Sequence, residues 1–262
     1  MLYSGIVCRL QSDVGVFSGM SKAIRWMPHL TTLLGWGSET SRFLHPFRDE
    51  NALTMAHDMC LELWPLVEEL PVNIAHVFNA VPDELEAAKK LFGDLADEER
   101  FYQRLFLNQC ELFGIPLATL ESHKPSEAAI HVKRVVGEYC QSDNWENAVL
   151  AITTAELACT AFCRVAVELY EEYFSKQGDR FSEQQVTDGM EWIRLHARPQ
   201  TRNALLLLRT LSQLTSAGQI QLPEPSERVA KALLAVWQCP LEAYTSTVSG
   251  AGSGSVDNAF VA

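Results

Sequence analysis

The chain has 262 residues, 47% of them hydrophobic, and a formal charge of -12 at pH 7. That is enough apolar side chain to bury one large core. The negative charge excludes nucleic acid and an anionic membrane as partners, since both would meet a repelling field, and leaves a small organic substrate or another protein.

No uninterrupted apolar run reaches the roughly 18 residues of a bilayer span, and the first residues lack the basic start, apolar segment and cleavage site of a secretion signal. A cytoplasmic protein is expected. The seven cysteines, Cys8, Cys60, Cys110, Cys140, Cys159, Cys163 and Cys239, form no Cys-x-x-Cys pair. Neither a disulfide framework nor a zinc knuckle is indicated, and most should be buried thiols.

Residues 1–42 carry scattered glycines and read as an irregular extension with one short helix around Lys22 to Leu34. From there to residue 245 the texture is helical. Leu53, Ala56, Met59, Cys60, Leu63, Leu66 and Val67 recur at three and four, until Pro65 and Pro71 should kink or divide the helix. Pro82-Asp83 opens the next, with Glu84 and Glu86 in its first turn, and Gly114 and Pro116 close it. Ser126 starts another that extends to about Cys140, and a long one from Trp145 to Phe174, apolar on most sides, should be central. Gly178 ends it. Ser182 to Gln185 is a capping-box start for a helix reaching His196, and Pro223 to Ser226 introduces a last helix to about Trp237. Residues 246–262 read as a flexible glycine- and serine-rich tail. Strand signals are nearly absent, so the fold class is all-α in a single domain.

Two stretches carry the chemistry. Glu156 lies inside the central helix among Ala, Ile, Thr, Leu and Cys, where a carboxylate must be paired, protonated or metal-bound. His196, Gln200 and Asn203 fall on one helical stripe, with Arg194, Arg198 and Arg202 around them in an otherwise acidic chain. Cys159 and Cys163 share nearly the same face as Glu156. The pair Glu98-Glu99, read alone, is a solvated acidic face.

The run Gly114-Ile115-Pro116 to Leu120-Glu121-Ser122-His123-Lys124-Pro125-Ser126-Glu127, with Asp94 to Glu99 and Glu168 to Phe174, resembles the haem-oxygenase-like diiron oxidases. The resemblance is to the branch of the chlamydial protein associating with death domains, beside the TenA thiaminases and the PQQ-synthesis oxidase. It spans about Phe43 to Leu214 and implies a haem-oxygenase-like bundle of about seven core helices. Its ligand pattern places Glu98, Glu156 and His196 at metal positions, while Gln200 and Asn203 stand where an Asp and a His belong. Phe43 and Ala166 stand where the chlamydial branch has a tyrosine and a lysine. What the resemblance leaves is the inventory of one Fe(II), or of no cofactor at all.

Two functions are expected from this. One is an oxygen-dependent oxidoreductase acting on a small amino-acid-like or aromatic metabolite, with Glu98, Glu156 and His196 on iron or, without metal, with Tyr102 and His196 catalytic. Arg194, Arg198, Arg202, Gln200 and Asn203 then bind an anionic substrate. The other is a non-catalytic partner of another biosynthetic protein, its old site closed by a satisfied network such as Gln200 to Glu156. The apolar segment Leu205 to Leu214 makes a homodimer or heteromer reasonable.

Overall fold

The computed structural model describes residues 24–45, 50–198, 207, 210–211 and 219–239. Its helices are α1 (Met27–Thr40), α2 (Ala52–Ala80), α3 (Glu86–Leu112), α4 (Leu117–Ser122), α5 (Glu127–Cys140), α6 (Trp145–Ser175), α7 (Glu183–Gly189), α8 (Glu191–His196) and α9 (Glu224–Val236). Among the described residues there is no strand. The tail expected to be flexible lies outside them, as do Gln200, Arg202 and Asn203.

The centre is α6, which packs against α1, α2, α5, α8 and α9. Its length and composition would let it cross a membrane, but more than half of its most apolar window is buried by its neighbours. The expectation that no segment is long and apolar enough is therefore corrected: α6 spends its apolar surface on the bundle. Around it, α2 pairs with α3 and α5, and α3 carries α7 and α8 on its other side.

Three local expectations change. First, α2 continues through Pro65 and Pro71 instead of dividing. Each proline costs about 3 kcal/mol in a helix interior, yet both are buried together with Met59, Trp64, Leu66, Leu70 and Ile74, and each large side chain returns about 1.5–3 kcal/mol. Packing outweighs the missing donors. Second, α1 is no decoration: Ile24, Trp26, Met27, Leu30, Leu33 and Leu34 are buried and the helix lies on α6. Residues from Ile24 onward thus belong to the packed body, and the Arg42 amide donates to the Trp237 carbonyl at 2.9 Å. Third, the helix from Ser182 does not run unbroken to His196; it divides at Met190, which is fully buried between α7 and α8.

That division lets α7 approach α3 closely. A Cβ built on Gly189 would stand 2.5 Å from Leu112 Cβ, a rigid neighbour. Gly189→Ala is therefore expected to destabilise the fold by about 1–3 kcal/mol through overpacking, read as a lower urea midpoint. An unchanged midpoint would mean that α7 does not seat on α3 as described.

Candidate functional site

The site forms where α8 packs against both α3 and α6. One face of α3 contributes Leu95, Glu99, Tyr102 and Phe106, all buried and spaced by three and four. The Tyr102 hydroxyl donates to Glu98 Oε1 at 2.8 Å, and its ring meets the His196 imidazole edge-on at 4.6 Å. Trp192 flanks the imidazole on another side at 4.4 Å, and packs on Phe106 at 5.0 Å. His196, Tyr102 and Glu98 are thus brought together.

His196 is the last residue of α8, which stops before the residue preceding Pro199, as a proline there demands. Its Nδ1 lies 2.8 Å from the Trp192 carbonyl. A carbonyl only accepts, so Nδ1 carries the proton and Nε2 keeps its lone pair. Burial pulls the imidazole down to about 4, against the raising effect of that carbonyl. Desolvation wins, and the ring is neutral at physiological pH.

The carboxyls behave in the opposite sense. Burial, reinforced by the charge of Glu98, pushes Glu156 up to about 7. Glu99 is held well above the usual carboxylate range by burial first, then by Glu156 and Glu98. Glu99 is only 6% exposed, and its Oε1 has no hydrogen-bond partner. Glu156 is enclosed by protein yet keeps part of its surface accessible. Burial and the bond to Glu98 raise the Tyr102 phenol, which stays protonated as a donor.

Glu99 is the site residue that the sequence reading missed. The period that places Leu95 and Tyr102 inward also places Glu99 inward, three before Tyr102 and four after Leu95. Cys159 also reaches this neighbourhood: its thiol is pushed up by Cys163, whose sulfur lies 3.9 Å away, by burial, and by the charges of Glu156 and Glu99.

Two of the three arginines expected to bind substrate, Arg194 and Arg198, point outward. Arg194 Nε donates to Glu171 at 2.9 Å on an outer face, and Arg198 is exposed. Both stand two residues from His196, and positions two apart on a helix do not share a face. Arg202, Gln200 and Asn203 lie outside the described residues, and so does a Gln200 to Glu156 bond. Phe43 and Ala166 are core residues, 2% and 0% exposed.

One iron would need a converging set of donor atoms. His196 keeps the Nε2 lone pair, and Glu98 accepts from Tyr102 through Oε1 alone. Among the described residues no three of His, Cys, Asp and Glu converge as a ligand group. Glu98, Glu156 and His196 do not come together as a three-ligand set among the described residues.

The all-α bundle has a haem-oxygenase-like fold. The fold is similar to a TenA homolog from Pseudomonas syringae pv. tomato, with TM-score 0.60 and 14% identity over 84% of this chain and 87% of that one. It is also similar to a domain of unknown function with a haem oxygenase-like fold from Shewanella denitrificans, with TM-score 0.57 and 13% identity over 94% and 96% of the two chains. The chain belongs to the TENA/THI-4/PQQC family, whose profile matches residues 75–221, more than half of its length. No curated protein matches it.

Proposed function

We propose that the protein is a cytoplasmic, oxygen-dependent oxidoreductase that acts on a small metabolite without a resident metal. The family and fold support the superfamily. The observation that carries the reading is the buried carboxyl of Glu99, which feels the charge of Glu156 and whose Oε1 has no hydrogen-bond partner. A buried acceptor without a partner costs about 1–3 kcal/mol, which a structural role does not explain and a site for a substrate does.

A metal-free oxidase must make its substrate electron-rich enough to reduce dioxygen directly. The balance is substrate-H2 + O2 → oxidised substrate + H2O2: two electrons and two protons leave the substrate. Glu156, poised near pH 7, suits the first proton abstraction, because a base works best when its pKa lies near the working pH. His196 Nε2 accepts a hydrogen bond from the substrate, and Tyr102 donates to the carboxylate beside it.

Chelator-treated protein, screened against amino acids, amines and phenols, is expected to take up oxygen and release peroxide with at least one of them. Glu156→Gln should lower that rate by about 100-fold or more, the usual contribution of a positioned base. Uptake that appears only after Fe(II) is added would sink the metal-free reading. No uptake with any compound, with or without Fe(II), would favour the non-catalytic partner.

A further inference from the structure

We propose that Tyr102 is a redox-active tyrosine: it releases one electron into a chain of rings that ends at Trp64, while its phenolic proton crosses to Glu98. The redox step stands by itself; its use in turnover rests on the oxidase reading.

The rings are continuous from helix to helix. Tyr102 on α3 meets His196 edge-on at 4.6 Å, and His196 lies 4.4 Å from Trp192 on α8. Trp192 in turn packs at 5.0 Å on Phe106 of α3, which stacks at 6.4 Å on Trp64 of α2. Of these, Tyr102, Trp192 and Trp64 are the side chains that can give up an electron, and all three are buried. An electron lost at one of them can be replaced from the next through rings in contact.

The electron deficiency comes to rest on Tyr102. A buried tryptophan that loses an electron is left as a cation, and burial penalises that charge. Tyr102 escapes the penalty, because its hydroxyl donates to Glu98 Oε1 at 2.8 Å. Electron and proton leave together and the ring stays neutral. The proton also neutralises Glu98, whose charge presses on Glu99 and Glu156. Tyr139 shows that such a hydrogen bond is not sufficient. It too donates to a carboxylate, Glu224 at 2.7 Å, but Arg228 donates to its oxygen at 3.1 Å and lies over its ring. A cation so placed opposes the loss of an electron.

The step balances as phenol + carboxylate + oxidant → neutral phenoxyl radical + carboxylic acid + oxidant reduced by one electron. The oxidant is a one-electron acceptor of the oxygen series. In turnover the substrate gives a hydrogen atom to dioxygen, leaving a substrate radical and hydroperoxyl. Hydroperoxyl takes the electron of Tyr102 and the proton held by Glu98, and becomes hydrogen peroxide. The Tyr102 radical then takes the second hydrogen atom from the substrate radical. The sum is substrate-H2 + O2 → oxidised substrate + H2O2.

The test needs no substrate. The full chain, stripped of metal, free of oxygen and carrying ring-deuterated tyrosine, is oxidised by photogenerated tris(bipyridine)ruthenium(III) and frozen for electron paramagnetic resonance. A tyrosyl signal should appear, narrowed by the label. Tyr102→Phe should remove most of it, Glu98→Gln, which keeps an acceptor but no base, should lower it about tenfold or more, and Trp192→Phe should slow its appearance. Tyr139→Phe should leave it intact. Circular dichroism checks the fold of each variant. In the wild type alone, the radical should show an exchangeable hydrogen-bond proton that is replaced in D2O. A signal undiminished in Tyr102→Phe or Glu98→Gln, an unchanged rate in Trp192→Phe, or no exchangeable proton would overturn the proposal. A Tyr102 radical without oxygen uptake by any compound would keep the proposal and sink the oxidase; oxygen uptake with no Tyr102 radical would do the reverse.

Discussion

Glu62→Ala is expected to lower the stability of the protein by about 2–4 kcal/mol, the loss that follows when a buried, hydrogen-bonded carboxylate is removed. Glu62 lies on α2 at 9% exposure. It accepts from the Ser126 amide at 3.3 Å through one oxygen, and from the Ser126 hydroxyl through the other. That hydroxyl accepts in turn from the Ala129 amide at 3.2 Å, which caps the first turn of α5. The carboxylate therefore holds the entry of α5 against the middle of α2. Its ion pairs matter less: Arg42 is 3.9 Å away and one third exposed, and His123 is at 3.5 Å, where solvent weakens the attraction. Glu62→Gln keeps an acceptor for the Ser126 amide, so it should cost about half as much. Urea unfolding of the two variants decides the matter; losses below about 1 kcal/mol in both would show that the Ser126 cap stands without Glu62.

This contact also explains why the stretch from Ser122 to Glu127 was informative as sequence. Its serine is a helix cap and a hydrogen-bond donor to a distant buried acid, so its residue types are tightly constrained. Other caps were legible for local reasons: Gly114 and Gly178 take φ of +81° and +56°, and Ser182 with Gln185 closes the capping box. Long-range effects were not legible. The prolines of α2 carry a local penalty that only tertiary burial offsets. The break at Met190 depends on how closely Gly189 meets Leu112, a contact 77 positions away in sequence. In the site, nearness along the chain does not bring Arg194 or Arg198 to the face of His196, because a helix turns residues two apart away from each other. Glu98 and Glu99 look alike as neighbours, and only the inward period of α3 separates them. In the leucine-rich stretch, Leu207 and Leu211 are buried.

The opposed shifts of Glu156 and His196 give the site a pH signature. The Glu156 carboxyl moves from an ordinary 4.5 to about 7 on folding. Between those values the folded state holds a proton that the unfolded state has released. Its contribution to stability is therefore fully present below pH 4.5, falls as pH rises, and is lost above pH 7, for a total on the order of 3 kcal/mol. His196 moves from 6.5 to about 4. Here the unfolded state holds the extra proton, so stability is fully present above pH 6.5 and falls as pH drops toward 4, by a similar amount. From pH 4.5 to 6.5 the two slopes oppose each other and nearly cancel. Glu156→Gln removes one of them. The variant should be more stable than the wild type at about pH 8, by on the order of 1–3 kcal/mol, because an uncompensated charge has gone. It should also lose stability more steeply than the wild type below pH 6.5, where the imidazole slope is unmasked. A gain in stability joined to a loss of activity marks a group kept for function rather than for the fold. Urea midpoints for both proteins across this range give the difference curve, in which other titrating groups cancel. A variant less stable than the wild type at about pH 8 would mean that the carboxylate has a favourable partner, and that Glu156 is not kept there to act on a substrate.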